Sequence, residues 1–118
     1  MSTIIASNIS DGTTSVASTY VVNGSAKAWV NFNQIGTQAI QDSFNISSIT
    51  DINVARTTVN LSNNMSNINY SSVMGAGYNS MQGNMGQLVG SVGMAVLNSS
   101  ASYEDRNDSC IQIMGDLA

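Results

Sequence analysis

The sequence predicts an all-β fold, a small antiparallel β-sandwich preceded by an extended N-terminal arm. Three observations carry that prediction. The chain contains no proline, no apolar stripe recurs at helical spacing over any length, and short apolar-polar alternations return at intervals of about ten residues. At 118 residues there is enough chain for one core and not for two. Only 8% of residues are charged, against roughly 25% in ordinary soluble domains, so Asn, Ser, Thr and Gln must solvate the surface.

Residues 1–24 form a polar lead-in with apolar beads at Ile4, Ile5, Ile9, Val16, Tyr20, Val21 and Val22. Beads so spaced cannot make a core by themselves. They suit addition of an extended strand to a neighbour, which makes Ile4, Ile5, Ile9 and Val16 the candidate anchoring residues. Asp11-Gly12 and Asn23-Gly24 are turn signals, and the second closes the arm.

The domain is expected over residues 25–118. From Lys27 the period becomes two: Ala28, Val30 and Phe32 share one side, and Lys27, Trp29 and Asn31 the other. An aromatic on each side implies that both are at least partly covered. Trp29, Phe32 and Phe44 are therefore the expected packing residues, in the core or, for Trp29, between subunits. After the turn "NQIG", Ala39 and Gln41 alternate with Ile40 and Asp42, and Phe44, Ile46 and Ile49 are core candidates. In "ARTTVNLS", Thr57, Val59 and Leu61 fall on one face and Arg56, Thr58 and Asn60 on the other, the pattern of an antiparallel sheet with one wet side.

Glycines at 75, 77, 83, 86, 90 and 93 interrupt both periods in the next stretch. Strands are expected at about residues 69–75 and 87–97, joined by a loop rich in Gly, Asn and Met. Tyr78, Asn79 and Gln82 in that loop are candidate contacts to a sugar, since aromatic and amide groups can stack on and hydrogen-bond to one. A charged turn at residues 104–108 leads into a closing strand at residues 110–114, with Cys110 expected as a small buried apolar residue. Six of the seven methionines lie in this later half. They fit an irregular core or an adaptable contact, between subunits or with another surface.

Several chemistries find no support. Lys27, Arg56 and Arg106 are the only basic side chains and the net charge is −4, too little to neutralise a run of nucleic-acid phosphates. Histidine is absent and Cys110 is the single cysteine, which removes zinc-type clusters and intrachain disulfides. Most of the acidic residues Asp11, Asp42, Asp51, Glu104, Asp105, Asp108 and Asp116 stand beside Gly, Asn or Ser as turn residues rather than as a glycosidase pair. "EDRND" lacks the alternating ligands and glycine of an EF-hand loop, and "GNMGQLVGSVG" lacks the Lys and Ser/Thr of a P-loop. The expectation is a non-enzyme without metal or cofactor, and without nucleic-acid or membrane partners.

The N-terminus has neither the basic nor the continuous apolar region of a secretory signal, and no run approaches the roughly 18 apolar residues of a membrane span. Eight Asn-X-Ser triplets reflect the abundance of Asn and Ser. The combination fits a protein assembled inside a cell and exposed later.

The stretch "VVNGSAKAWVNFNQIGTQAIQDSFNISSITD", residues 21–51, resembles a signature of tail-fibre and related virion proteins of tailed bacteriophages, including those of marine bacteria and cyanobacteria. A Lys/Arg-Ala-Trp-Val run with Asn-Phe-Asn, a Gly-containing turn and a strand ending Ser-Ile-Thr-Asp carry the likeness. It continues loosely through "TTVNLSNNMSNINYSSVMGAG" and "SCIQIMGDLA". The resemblance implies a β-sandwich on a virion surface, usually trimeric and often distal on a fibre. The expected function is a short tail fibre or fibre-like appendage in host adsorption, held to other virion proteins by the arm. A host surface glycan is the candidate receptor, with Tyr78, Asn79 and Gln82 as the host-facing loop, and several weak sites would add by multivalency. A lead-in too short for a long shaft raises a second role, a capsid decoration protein on the head.

Overall fold

The computed structural model describes residues 1–118. In the arm, β1 (Asn8–Ser10) and β2 (Ser15–Ala17) pair antiparallel, and α1 (Ser18–Gly24) follows. The arm is thus not extended throughout, because Asp11-Gly12 turns it back on itself. The Asp11 carboxylate accepts from the amides of Thr13 at 2.9 Å and Thr14 at 2.7 Å, and Gly12 adopts a φ of +97° that a side chain would strain. Ile9 lies opposite Val16 across this hairpin, yet no residue of the arm is buried.

Beyond Ser25, two four-stranded antiparallel sheets enclose the core. The first has the order β4-β3-β10-β7, formed by β3 (Ala26–Asn33), β4 (Ala39–Phe44), β7 (Ser71–Ala76) and β10 (Ser109–Met114). The second has the order β5-β6-β9-β8, formed by β5 (Ile46–Asn53), β6 (Arg56–Leu61), β8 (Ser80–Leu88) and β9 (Ser91–Asn98). The molecule is an all-β sandwich, as its alternation requires.

Alternate residues meet between the sheets: Ala28, Val30 and Phe32 from β3, Ile111 and Ile113 from β10, Val59 and Leu61 from β6, and Val92, Met94 and Val96 from β9. Each larger side chain so buried contributes roughly 1.5–3 kcal/mol. Met65 and Tyr70, from the connection between β6 and β7, close one end of this core. The Tyr70 hydroxyl lies 2.9 Å from both the Leu88 and Ser91 carbonyl oxygens and donates its one proton between them. Burial pushes this phenol above its ordinary pKa of 10.0.

Edge strands pass directly from one sheet to the other. Asn45, at a φ of +57°, is the whole link between β4 and β5. Its side chain donates to the Lys27 carbonyl at 3.0 Å and accepts from the Asn63 amide at 2.9 Å, which fixes the corner. At the opposite edge β7 runs into β8 through residues 77–79. With β10 returning beside β7, strands β7 to β10 make a Greek key.

Two expectations about strand placement change here. Phe44 is not a core residue. Along β4, Ile40 pairs with Phe32 but Asp42 pairs with Asn31, leaving Gln41 as a bulge. One extra residue reverses the parity of everything after it, so Phe44, paired with Trp29, points out of the sandwich. The Gly-rich segment is not one loop followed by one strand. β8 occupies most of it, and a turn at Val89-Gly90 divides the expected 87–97 strand between β8 and β9. A Cβ at Gly90 would stand 2.9 Å from Asn64 Oδ1, so a larger residue there would have to displace the Asn64 side chain.

The crossing from β9 to β10 is held by a buried polar cluster. Gln34 exchanges backbone and side-chain bonds with Arg106, its amide donating to the Arg106 carbonyl at 2.8 Å and its Oε1 accepting from the Arg106 amide at 3.3 Å. Gln34 Nε2 donates to Thr57 Oγ1 at 3.1 Å, and Thr57 donates in turn to Gln38 at 2.6 Å. Ser109 Oγ donates to Gln34 Oε1 at 3.3 Å. Partners for each polar group let three polar side chains, Gln34, Thr57 and Ser109, lie inside an otherwise apolar core.

Candidate functional site

Several of the carboxylates are engaged in shaping the fold. Asp105 accepts from the Ala55 amide at 2.6 Å, holding a buried residue whose φ is +55°. Glu104 accepts from Asn98 at 2.7 Å and pairs with Arg106 at 3.1 Å. Asp42 accepts from the Ser43 amide at 2.8 Å. No three Asp, Glu or Cys side chains gather in the arrangement that holds a metal ion.

The outward face of the first sheet collects a different set of groups. Strand register aligns Phe44, Trp29, Gln112 and Val73 in one row across β4, β3, β10 and β7, and Asp42, Asn31, Cys110 and Gly75 in the next. Side chains in such rows share a face and lie within reach of their neighbours. Trp29 is 38% exposed, Phe44 56% and Val73 53%. A groove of about 430 Å³ runs beside Trp29, lined by Asn31, Val73, Gly75, Cys110 and Gln112 among others. Gly75 forms part of its floor, and a Cβ there would come 3.0 Å from Cys110 Sγ.

This arrangement alters three assignments. Trp29 and Phe44 do not pack in the core of their own chain, whereas Phe32 is fully buried. Cys110 is exposed, because the inward positions of β10 are Ser109, Ile111 and Ile113 and the residue between the first two must face out. Asn31 donates to Asp108 Oδ1 at 3.4 Å, while its own Oδ1 is covered and has no donor.

The expected host-facing loop is not assembled as one unit. Tyr78 is 88% exposed in the β7–β8 turn, and Asn79 makes that turn with a φ of +56°. Gln82 instead lies within β8, half-buried and donating to Ser80 Oγ at 2.7 Å. The methionines divide in the same way: Met65 and Met94 fill the core, while Met81 and Met85 are exposed on β8. In the arm, Ile4 and Ile5 are 93% and 94% exposed, and Ile9 and Val16 are also on the surface.

Sequence reasoning placed Trp29 opposite Ala28, Val30 and Phe32, which was the available signal that it faces outward. Gln112, Val73 and Gly75 gave none, because they reach Trp29 only through pairing of distant strands. Comparison of the chain with protein-family models, curated proteins and solved structures returns no match in any of the three.

Proposed function

We propose that this chain is a non-catalytic attachment module: the arm docks on a partner protein and the sandwich is displayed at the surface. The observation that carries this reading is the state of residues 1–24. They hold Ile4, Ile5, Ile9, Val16, Tyr20, Val21 and Val22, and none of these is buried against the chain's own sandwich. A seven-residue helix lacking a side-chain cap is marginal in water without tertiary support, and an apolar partner surface supplies such support. The setting, a tail fibre or fibre-like appendage of a tailed-phage virion, rests on the resemblance of "KAWVNFN…DSFNISSITD". In that setting the chain forms a homotrimer, and several copies of a weak site give firm host attachment.

Deleting residues 1–24 tests the reading. The truncated chain is expected to fold, by circular dichroism and a cooperative melt, and to be lost from purified virions after sedimentation. Normal occupancy of the truncated chain on particles would overturn the anchor. Absence of the full chain from the particles would overturn the virion setting, and labelling on the head instead of the tail would favour a decoration protein.

A further inference from the structure

We propose that the outward face of the β4-β3-β10-β7 sheet binds an uncharged saccharide, with Trp29 and Phe44 as the stacking surface and Gln112 and Asn31 as its polar flank. The inference deepens the attachment reading above and depends on it only for its biological setting. Four features of the face converge on this ligand.

First, the two aromatics are register partners on neighbouring strands and both are exposed, so they present adjoining apolar surfaces. A pyranose ring offers a matching C–H face, while its hydroxyls project around the rim. Second, an exposed amide, Gln112, stands next to Trp29 in its row, and Asn31 in the row beside it can offer its Nδ2, its Oδ1 being covered. A mainly apolar site with a few convergent polar groups is the usual composition of a small-ligand site.

Third, the groove beside Trp29 is lined by no charged side chain. Phe44 lies beside that groove, in a neighbouring hollow that also holds Lys27. The Lys27 ammonium is bonded to the Ser25 carbonyl and hydroxyl, and the other ionisable neighbours are the carboxylates Asp42 and Asp108. The face thus gathers no cluster of cations for an acidic sugar and favours a neutral one. Fourth, the trough is built from backbone already fixed in the sheet. β10 is paired on both sides, to β3 and to β7, and Gly75 keeps the floor open where a Cβ would press on Cys110 Sγ at 3.0 Å. A site formed before its ligand arrives loses little to ordering on binding.

Trp29 is the sole tryptophan, so its fluorescence reports this face alone. The full chain would be titrated with maltotetraose, cellotetraose and N-acetylchitotetraose at millimolar concentration, with polygalacturonate as the acidic probe. At least one neutral probe is expected to change the emission saturably, and polygalacturonate is not. Phe44→Ala, at an exposed position and verified as folded by its melt, should weaken that binding about tenfold, the upper range for an aromatic contact. Gln112→Ala should weaken it as well, while Tyr78→Ala leaves it unchanged.

No saturable change with any neutral probe would overturn the proposal, as would a stronger response to polygalacturonate or unaltered binding by Phe44→Ala. Emission that depends on protein concentration and not on sugar would also overturn it, identifying the face as a contact between copies. The chain lacking residues 1–24 should bind sugar as the full chain does. Loss of virion attachment with sugar binding retained therefore tests the arm, and the reverse result tests this face.

Discussion

The arm and the sandwich draw on the same residues, Asn, Ser, Thr, Gly, Ile and Val, and differ in what they do with them. Residues 1–24 bury nothing, whereas the sandwich buries a cluster of 13 hydrophobic residues. Spacing separates the two. Ile4-Ile5 is an adjacent pair whose members point to opposite sides of an extended chain, and Val21-Val22 fall in a helix of seven residues, too short to build an apolar stripe, so no one face accumulates. In β3, β6 and β9 every second residue is apolar or small and turns inward. Apolar content therefore makes a core only when its period matches the strand, and otherwise leaves a surface that another molecule can cover.

The strongest way to break this comparison is to truncate one phenylalanine from each face of the first sheet. Phe32→Ala, at a fully buried position, should cost about 3–5 kcal/mol in denaturant unfolding. Phe44→Ala, beyond the bulge at Gln41, should stay within about 0.5 kcal/mol, the usual range for an exposed site. Equal losses would mean that the bulge does not set the phase of β4.

A smaller effect is expected where the core admits polar groups. Gln34→Leu keeps the bulk but removes the acceptor used by the Arg106 amide and the Ser109 hydroxyl. It should lower stability by about 1–3 kcal/mol, while Gln112→Leu on the outward face should leave the unfolding midpoint almost unchanged. A neutral Gln34→Leu would show that this network does not hold the β9–β10 crossing.

The smallest effect distinguishes the regions by pH. Amide hydrogen bonds, from Thr14 first and then Thr13, hold the Asp11 carboxyl below its ordinary 3.8. A carboxyl with a lowered folded pKa stabilises above the ordinary value, and that contribution is lost as pH falls through the lowered one. Acidification below pH 3.8 should thus shift the Thr13 and Thr14 amide resonances as the hairpin turn loosens. Tyr70 works in the opposite direction. Its raised pKa leaves the contribution intact below 10.0 and removes it as pH rises through the higher value, so alkali should weaken the sandwich first. Movement of the Thr13 and Thr14 signals only together with those of the core would contradict independent regions.

The inward phases of β3 and β6 were legible because each is an uninterrupted alternation: Ala28, Val30 and Phe32, and Thr57, Val59 and Leu61. The second half of β4 was not, since a bulge is a property of two strands and Gln41 carries no local mark of it. β8 was hidden by Gly83 and Gly86 and by a face in which neither period is kept. On the candidate face, Trp29 declared its side by parity. Gln112, Val73 and Gly75 lie between 44 and 83 residues from it along the chain and join it only through the register of β10 and β7.

By itself the sequence determined that this chain would be all-β and which residues of its cleanest strands would turn inward. Those are consequences of local periodicity, which any strand enforces on its own side chains. Tertiary structure decided which strands are neighbours, that Phe44 follows Trp29 to the outside, and that amides from separate strands flank the pair. Pairing register depends on the whole sheet closing over one core, and a shift of one residue moves an entire set of side chains to the other face.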